Sequence, residues 1–222
     1  MLSIVTGTLD RLDLLKEVIK NTVDRSDKIE LVLLDGGSTD GTIEYVKSLD
    51  NERINLIEIG GRSTYPSFMN TGIRAAKYEW IVQWNDDVLL INEWDDVINM
   101  LNDGNDVYIF DWNRGTLEEY TNKTHENQWI CFHDCMNFGI YRKEIFRKIG
   151  MYDSQFKYYE CDHDMATRCL SFGYKVVNAH NIKVMEVRTE KRCIEYGGDR
   201  SIWFKNRELY HAGIIPNTIE KL

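Results

Sequence analysis

Within its first 84 residues the chain repeats one pattern: a short apolar run, then residues recurring at helical spacing. The runs are Leu2 to Thr6, Ile29 to Leu34, Ile54 to Ile59 and Trp80 to Trp84, and helical patterns lie between them. Leu12, Leu15, Ile19 and Val23 mark the first helix, and Ile43, Val46 and Leu49 the second. The third carries Phe68, Met69 and Ile73, with Pro66 suited to its first turn. Strands this uniformly apolar are buried on both faces. Their alternation with helices predicts an α/β fold with a mainly parallel sheet, right-handed crossovers and helices on both sides.

After residue 105 the rhythm changes. Val107 to Trp112 reads as a strand, whereas 113–136 is polar, without a clear period, and reads as loop or hairpin. A helix is expected over Lys143 to Ile149, ending at Gly150. Another starts near Asp162 and ends at Phe172-Gly173, where glycine supplies the C′ residue. The segment 180–222 carries no clear pattern. With 222 residues, no repeats and only two prolines, the chain reads as one domain, with a ligand-binding half over about 1–105 and a second, smaller part over about 106–222.

A formal net charge of -9 argues against a nucleic-acid partner, because phosphate backbones need a basic face. The five cysteines form no Cys-x-x-Cys pair, so neither a zinc ribbon nor a disulfide framework is indicated, and free thiols fit a reducing cytoplasm. No apolar run approaches the ~18 residues of a membrane span, and Met1 to Thr6 has no signal-peptide pattern. A cytoplasmic protein is expected, with peripheral association to a membrane left open.

Three stretches carry chemistry. Asp35-Gly36-Gly37-Ser38-Thr39-Asp40-Gly41-Thr42 follows the second strand and opens a helix. It places Asp35 at a strand's carboxyl end, where open α/β sheets bind ligands. Its glycine spacing is wrong for a dinucleotide fingerprint and it lacks the Gly-Lys-Ser/Thr of a P-loop. An ordinary turn with Ser38 or Thr39 capping the helix would use the same residues. Asn85-Asp86-Asp87 sets two adjacent carboxylates after the fourth strand; they repel unless a cation intervenes, an arrangement suited to Mg²⁺ or Mn²⁺. Alternatively it is a solvated turn. In Glu160-Cys161-Asp162-His163-Asp164, Asp164 and Arg168 are four apart and can pair, and the acids can also serve as helix caps.

In this order the three stretches resemble the large inverting glycosyltransferase family of the GT-A fold, family 2. Ser3 to Thr8 resembles the family's first strand and polar turn. Asp35 to Thr42 matches its Asp-Asp-Gly-Ser-x-Asp-Gly-Thr except at Gly36, and Asn70-Thr71-Gly72-Ile73 resembles its Asn-x-Gly-Ile helix. Trp84-Asn85-Asp86-Asp87 resembles the metal-binding Asp-x-Asp-Asp, and Cys161-Asp162-His163-Asp164 with Arg168 resembles Glu-Asp-x-Asp-x-x-x-Arg. The resemblance spans about residues 2–178 and implies transfer of a sugar from a nucleotide-diphosphate sugar, most plausibly a uridine one, to an acceptor hydroxyl. It implies that Thr6 and Asp35 hold the base, that Asp86 lies near ribose and diphosphate, and that Arg62 pairs with base or phosphate. Asp87 would ligate Mn²⁺ or Mg²⁺, and Asp162 would be the general base. The acceptor, whether carbohydrate, lipid-linked or protein, is not named by it.

His180 is a further candidate metal ligand, although a partly exposed histidine after a strand would look the same. Trp112, Trp129, Tyr158 and Tyr159 are candidates for a sugar platform, and the Gly-rich stretch Glu195 to Arg200 for a loop over the diphosphate. The departures at Gly36, Trp84 and Cys161 keep a non-catalytic sugar- or nucleotide-binding module in view. Gly7-Thr8-Leu9-Asp10-Arg11 only faintly resembles the loop of sugar-phosphate nucleotidyltransferases.

Overall fold

The computed structural model describes residues 1–124, 129–130, 137–188 and 199–222. β1 (Leu2–Thr8), β2 (Ile29–Asp35), β3 (Ile54–Glu58) and β4 (Trp80–Gln83) coincide with the four apolar runs. The helices between them are α1 (Leu12–Asn21), α2 (Thr42–Ser48) and α3 (Tyr65–Ala75). Next come β5 (Val88–Leu90), α4 (Trp94–Met100), β6 (Val107–Gly115), α5 (Leu117–Asn122) and β7 (Gly139–Arg142). The chain continues through α6 (Lys143–Ile149), α7 (Cys161–Ser171), β8 (Val176–Val187) and α8 (Asp199–His211).

All eight strands join one sheet in the order β3-β2-β1-β4-β7-β6-β8-β5. The first half is parallel, as the apolar runs predict: β1 pairs in parallel with β2 and β4, and β2 with β3. The second half is mixed, because β7 is antiparallel to β4 and β6, and β5 to β8, while β6 and β8 run parallel. Strand alternation sends Leu2, Ile4, Leu31 and Leu33 into one apolar cluster with α1, α2 and α4. Val5, Val32 and Leu34 go into another, with α3, α6 and α7. Edge strand β5 is covered by α1: the Asn21 amide donates to the Leu90 carbonyl (3.1 Å) and accepts from the Leu90 N–H (2.7 Å), satisfying backbone that would otherwise invite pairing.

Helix α3 begins as its sequence predicts, with Pro66 in the first turn and the Thr64 hydroxyl accepting from the Ser67 N–H. It packs flush on the sheet through Gly72, where an added Cβ would lie 2.2 Å from Val5 Cγ1. Helix α6 has the expected bounds and α7 the expected end, Gly173 taking φ +81°. The polar stretch after β6 differs from the loop expected: α5 forms there with a reciprocal capping box between Thr116 and Glu119. Most of that stretch beyond residue 124 lies outside the described residues.

Candidate active site at the carboxyl ends of the first four strands

Parallel strands β1, β2 and β4 end side by side, and their following loops form a cleft of about 520 Å³. Gly7, Thr8, Arg11, Gly36, Arg62, Asp86 and Asp87 line it, with Tyr65 and Phe68 of α3 as an apolar wall. A larger cavity of about 680 Å³ lies elsewhere, between α1 and α5. It contains none of the paired carboxylates, so the chemistry points to the smaller one.

The Asp35-to-Thr42 turn is organised by its own side chains. Asp35 is fully buried, and its Oδ1 accepts from the N–H groups of Gly37 (2.8 Å) and Ser38 (2.7 Å). Gly37 follows with φ +93°, which requires glycine. The Ser38 hydroxyl accepts from the Asp10 N–H, and Asp10 accepts from the Thr39 N–H, lacing the turn to the β1–α1 loop. Asp40 caps two helices at once, accepting from Leu12 N–H at the start of α1 and from Thr42 at the start of α2. Capping therefore falls to Asp40, not to Ser38 or Thr39. Asp35 Oδ2 stays buried without a hydrogen-bond partner among the described residues. Such an orphaned acceptor costs about 1–3 kcal/mol, and Asp35, though not itself lining the cleft, falls in sequence between two residues that do, Leu34 and Gly36.

Asp86 and Asp87 stand at the end of β4 as expected. Asp86 Oδ2 accepts from the Thr8 hydroxyl (2.8 Å), and one guanidinium nitrogen of Arg11 donates to Asp86 Oδ1 (3.0 Å) and Asp87 Oδ2 (2.9 Å). Burial raises the Asp86 carboxyl to about 6 against the opposing pull of Arg11, with the like charge of Asp87 adding to the rise. Two hard carboxylates in one cleft fit a divalent ion that takes its remaining ligands from water and substrate phosphate. Among the described residues no group of three or more His, Cys, Asp or Glu could hold a metal.

Thr6 is fully buried and does not line the cleft. It lies two residues before the strand's end, and Thr8, on the same face by alternation, occupies the rim instead. Arg62 lines the cleft and lies 5.4 Å from the Tyr158 ring. His180 is not brought to the carboxylates. It is mostly exposed at the β6–β8 irregularity, with Nδ1 3.1 Å from Asp111 Oδ1. Val187, at the other end of β8, is what contacts Asp87, through its N–H to the Asp87 carbonyl. Seven residues of strand put His180 on the order of 20 Å away.

Asp162 occupies the first turn of α7, and His163 Nδ1 lies 3.4 Å from both its Oδ1 and Glu160 Oε2. Glu160, the residue before the helix, adopts φ +63°, a conformation uncommon for a residue with a side chain. The loop before it is fixed to the cleft wall: the Tyr65 N–H donates to the Lys157 carbonyl. Tyr65 packs on Tyr152 (5.7 Å between ring centres), whose hydroxyl is held protonated chiefly by burial, with the Asp162 charge contributing. Asp162 itself is not among the residues lining the cleft.

Asp164 pairs with Arg168 as its spacing predicts (3.6 Å), but both are buried and tied to α8 and the α6–α7 connection. Asn206 and Tyr210 donate to Asp164, while Arg168 donates to the carbonyls of Ile149 and Met151. Burial pushes the Asp164 carboxyl up, and its role is structural. Two of the three departures from the motif pattern are packed into the interior, while Gly36 lines the cleft: Trp84 is fully buried against Trp94 with its indole N–H on the Val88 carbonyl, and Cys161 is buried. Of the aromatic candidates, Tyr158 stands beside Arg62, whereas Trp112 packs on Phe138 and Trp129 beneath Lys183. Glu195 to Gly198 lie outside the described residues.

Arg11 was not expected in the site, and Asp199 was expected only as part of the Glu195-to-Arg200 loop over the diphosphate, not as a structural anchor. Asp199 opens α8, and one of its oxygens accepts from three successive N–H groups, Lys157, Tyr158 and Tyr159, at 3.1, 3.0 and 3.1 Å. Nothing local in the sequence announces that contact. For Arg11 the sequence signal is the adjacent carboxylates, which need a countercharge.

The fold is shared with solved glycosyltransferases. A Pyrobaculum calidifontis mannosyltransferase solved with GDP-Man and Mn²⁺ aligns with a TM-score of 0.66 and 18% identity, over 86% of this chain and 57% of that one. S. aureus TarS residues 1-349, solved with UDP-GlcNAc, aligns with a TM-score of 0.72 and 13% identity, over 94% of this chain and 65% of that one. The same TarS fragment with UDP gives 0.69 at 12% identity, covering 94% and 64%. The chain thus spans less than two thirds of these structures. No curated protein matches it. No helix among the described residues is long and apolar enough to cross a membrane. The family model described as Glycosyl transferase family 2 matches residues 3–167, and the chain, with its GT-A sheet, belongs to that family.

Proposed function

We propose that the protein is an inverting glycosyltransferase that moves a sugar from a nucleotide-diphosphate sugar to an acceptor hydroxyl. The observation that carries this reading is the cleft itself. It sets the Asp86–Asp87 pair beside Thr8 and Arg11, with buried Asp35 and its orphaned acceptor at the end of the adjoining strand β2, within a family 2 fold.

In this reading Asp35 takes the nucleoside base. One of its oxygens is committed to the Gly37 and Ser38 N–H groups, leaving one acceptor, which suits the single imide N–H of uracil. Guanine offers two adjacent donors and would be better served by a second free carboxylate oxygen. Gly36 does not provide one. A uridine donor is therefore favoured, in line with the nucleotide in the TarS structures. Thr8, rather than Thr6, stands at the rim with Asp86, near ribose and diphosphate. Arg62 contributes positive charge at the cleft mouth.

Asp87 and Asp86 would hold Mn²⁺ or Mg²⁺, which when bound supplies Lewis-acid stabilisation of the charge on the leaving diphosphate. Asp162 accepts the acceptor's proton as its oxygen attacks the anomeric carbon, and no enzyme nucleophile is needed in a direct displacement. His163 Nδ1 lies 3.4 Å from both Asp162 and Glu160, beside the base. The buried, unpaired thiols Cys161 and Cys169 suit a reducing compartment such as the cytoplasm. The acceptor is carbohydrate, lipid-linked sugar or protein, and the loops of the second half select it.

The test is turnover of UDP-sugars with Mn²⁺, compared with Asp162→Asn. Release of UDP with inversion at the anomeric carbon, lost in the variant while UDP still binds, is the expected result. Nucleotide binding without turnover on any donor would favour the binding-module reading, for which the buried Trp84 and Cys161 are the structural motive. Pyrophosphate as product would indicate a nucleotidyltransferase.

A further inference from the structure

Two adjacent, largely buried carboxylates need a countercharge, and in this protein it comes from the chain itself. One nitrogen of Arg11 contacts both, at 3.0 Å to Asp86 and 2.9 Å to Asp87. The contact is not a casual surface pair, since the Arg11 side chain is 20% exposed and the two carboxylates only 10% and 14%. Arg11 is also the residue that precedes α1, where the helix dipole disfavours a cation. The carboxylates hold it there against that field.

We infer that Arg11 is a resident cation that competes with the divalent ion for Asp86 and Asp87, making metal binding depend on the nucleotide. The inference rests on the reading of this cleft as a nucleotide-sugar site and concerns how that site is filled. The charge count explains the coupling. Two carboxylates and one guanidinium leave a net charge of about -1, whereas adding a divalent ion would leave about +1 in a low-dielectric cleft. A diphosphate reverses that excess, so metal and nucleotide bind together and poorly apart. When both arrive, the guanidinium is displaced from the carboxylates and is close enough to turn to the diphosphate oxygens, a bidentate acceptor that suits it. Mutual dependence of this kind is a coupling free energy and must appear in both affinities.

The experiment is a titration of Mn²⁺ into the nucleotide-free protein, read by the electron paramagnetic resonance of free aqueous Mn²⁺ and repeated with saturating UDP. Wild type, Arg11→Met and Arg11→Lys are compared, with thermal melts to confirm folding. Arg11→Met is expected to bind Mn²⁺ alone about 5- to 150-fold more tightly than wild type, the usual range of such couplings. Its UDP affinity should fall, and Arg11→Lys, which keeps the charge, should stay near wild type in Mn²⁺ affinity. Unchanged or weaker Mn²⁺ binding by Arg11→Met, with UDP-dependent binding intact in wild type, would overturn the role given to Arg11 and leave the site reading standing. Absence of Mn²⁺ binding by every form, with or without UDP, would overturn the inference together with the reading beneath it. Should Arg11→Met not fold, equal Mn²⁺ affinities for Arg11→Lys and wild type support the inference, and a gain by Arg11→Lys as large as that expected for methionine overturns it.

Discussion

Replacing Asp86 by Asn should stabilise the protein at neutral pH and leave it nearly unaffected in acid. Burial raises the native Asp86 carboxyl to about 6, against about 3.9 for an aspartate in an unfolded chain. The native state therefore binds this proton more tightly than the unfolded state. Its contribution is fully present below about pH 4 and is lost as pH rises through about 6. Two pKa units at about 1.4 kcal/mol each amount to roughly 3 kcal/mol across that window. Asparagine has the same shape and does not titrate. Urea unfolding of both proteins in metal-free buffer, at half-unit steps from pH 4 to 8, should show Asp86→Asn gaining about 3 kcal/mol on wild type, with nearly all the gain between pH 4 and 6.5. Other carboxylates titrate in both proteins and cancel in the difference. A pH-independent difference, or a variant that loses ground as pH rises, would show that the Arg11 pair outweighs burial and refute the reasoning.

Gly72→Ala should destabilise by about 1–3 kcal/mol in urea unfolding at unchanged m value, because its Cβ would enter Val5 and approach Leu34 Cδ1 at 3.0 Å. Asp199→Ala leaves three N–H groups of the 157–159 loop without their shared acceptor. It should cost about 1–3 kcal/mol and raise hydrogen exchange in that loop selectively. In Asp162→Asn the rate of sugar transfer should drop by about 10²- to 10⁴-fold while the dissociation constant for UDP stays within a factor of about two, as for loss of a proton acceptor.

The first half of the molecule was legible because each of its strands is built on an apolar run and each helix carries its stripe. β1 to β4 and α1 to α3 all fell where the periodicity put them. The second half follows weaker local signals. β5 has three residues and β7 four, too few to show a period, and β8 is broken by the irregularity opposite Phe110 and Asp111. Helix α8 buries only Asp199, Asn206 and Tyr210, two of them polar or charged, so hydrophobic periodicity could not reveal it. The Thr116-x-x-Glu119 signature of α5 was present in the sequence and passed over because no apolar stripe followed it. At the candidate site, Arg62, Asp86 and Asp87 line one cleft, and Asp35, buried at the end of β2, lies beside its residues Leu34 and Gly36 in sequence. Thr6 and His180 were not where the chemistry needs them, since a strand's burial depth and its bulges are tertiary facts. Arg11 belongs to the site through a contact spanning 75 residues of sequence, which no local pattern carries.

The most direct test of the central claim, that this cleft binds a nucleoside diphosphate through its carboxylate pair, is calorimetric titration with UDP, GDP, dTDP and CDP. Each is run with and without Mn²⁺ on wild type and on Asp87→Ala. The account predicts binding of UDP that requires Mn²⁺ and disappears in the variant. Heat of binding from none of the four nucleotides, with or without Mn²⁺, would contradict it.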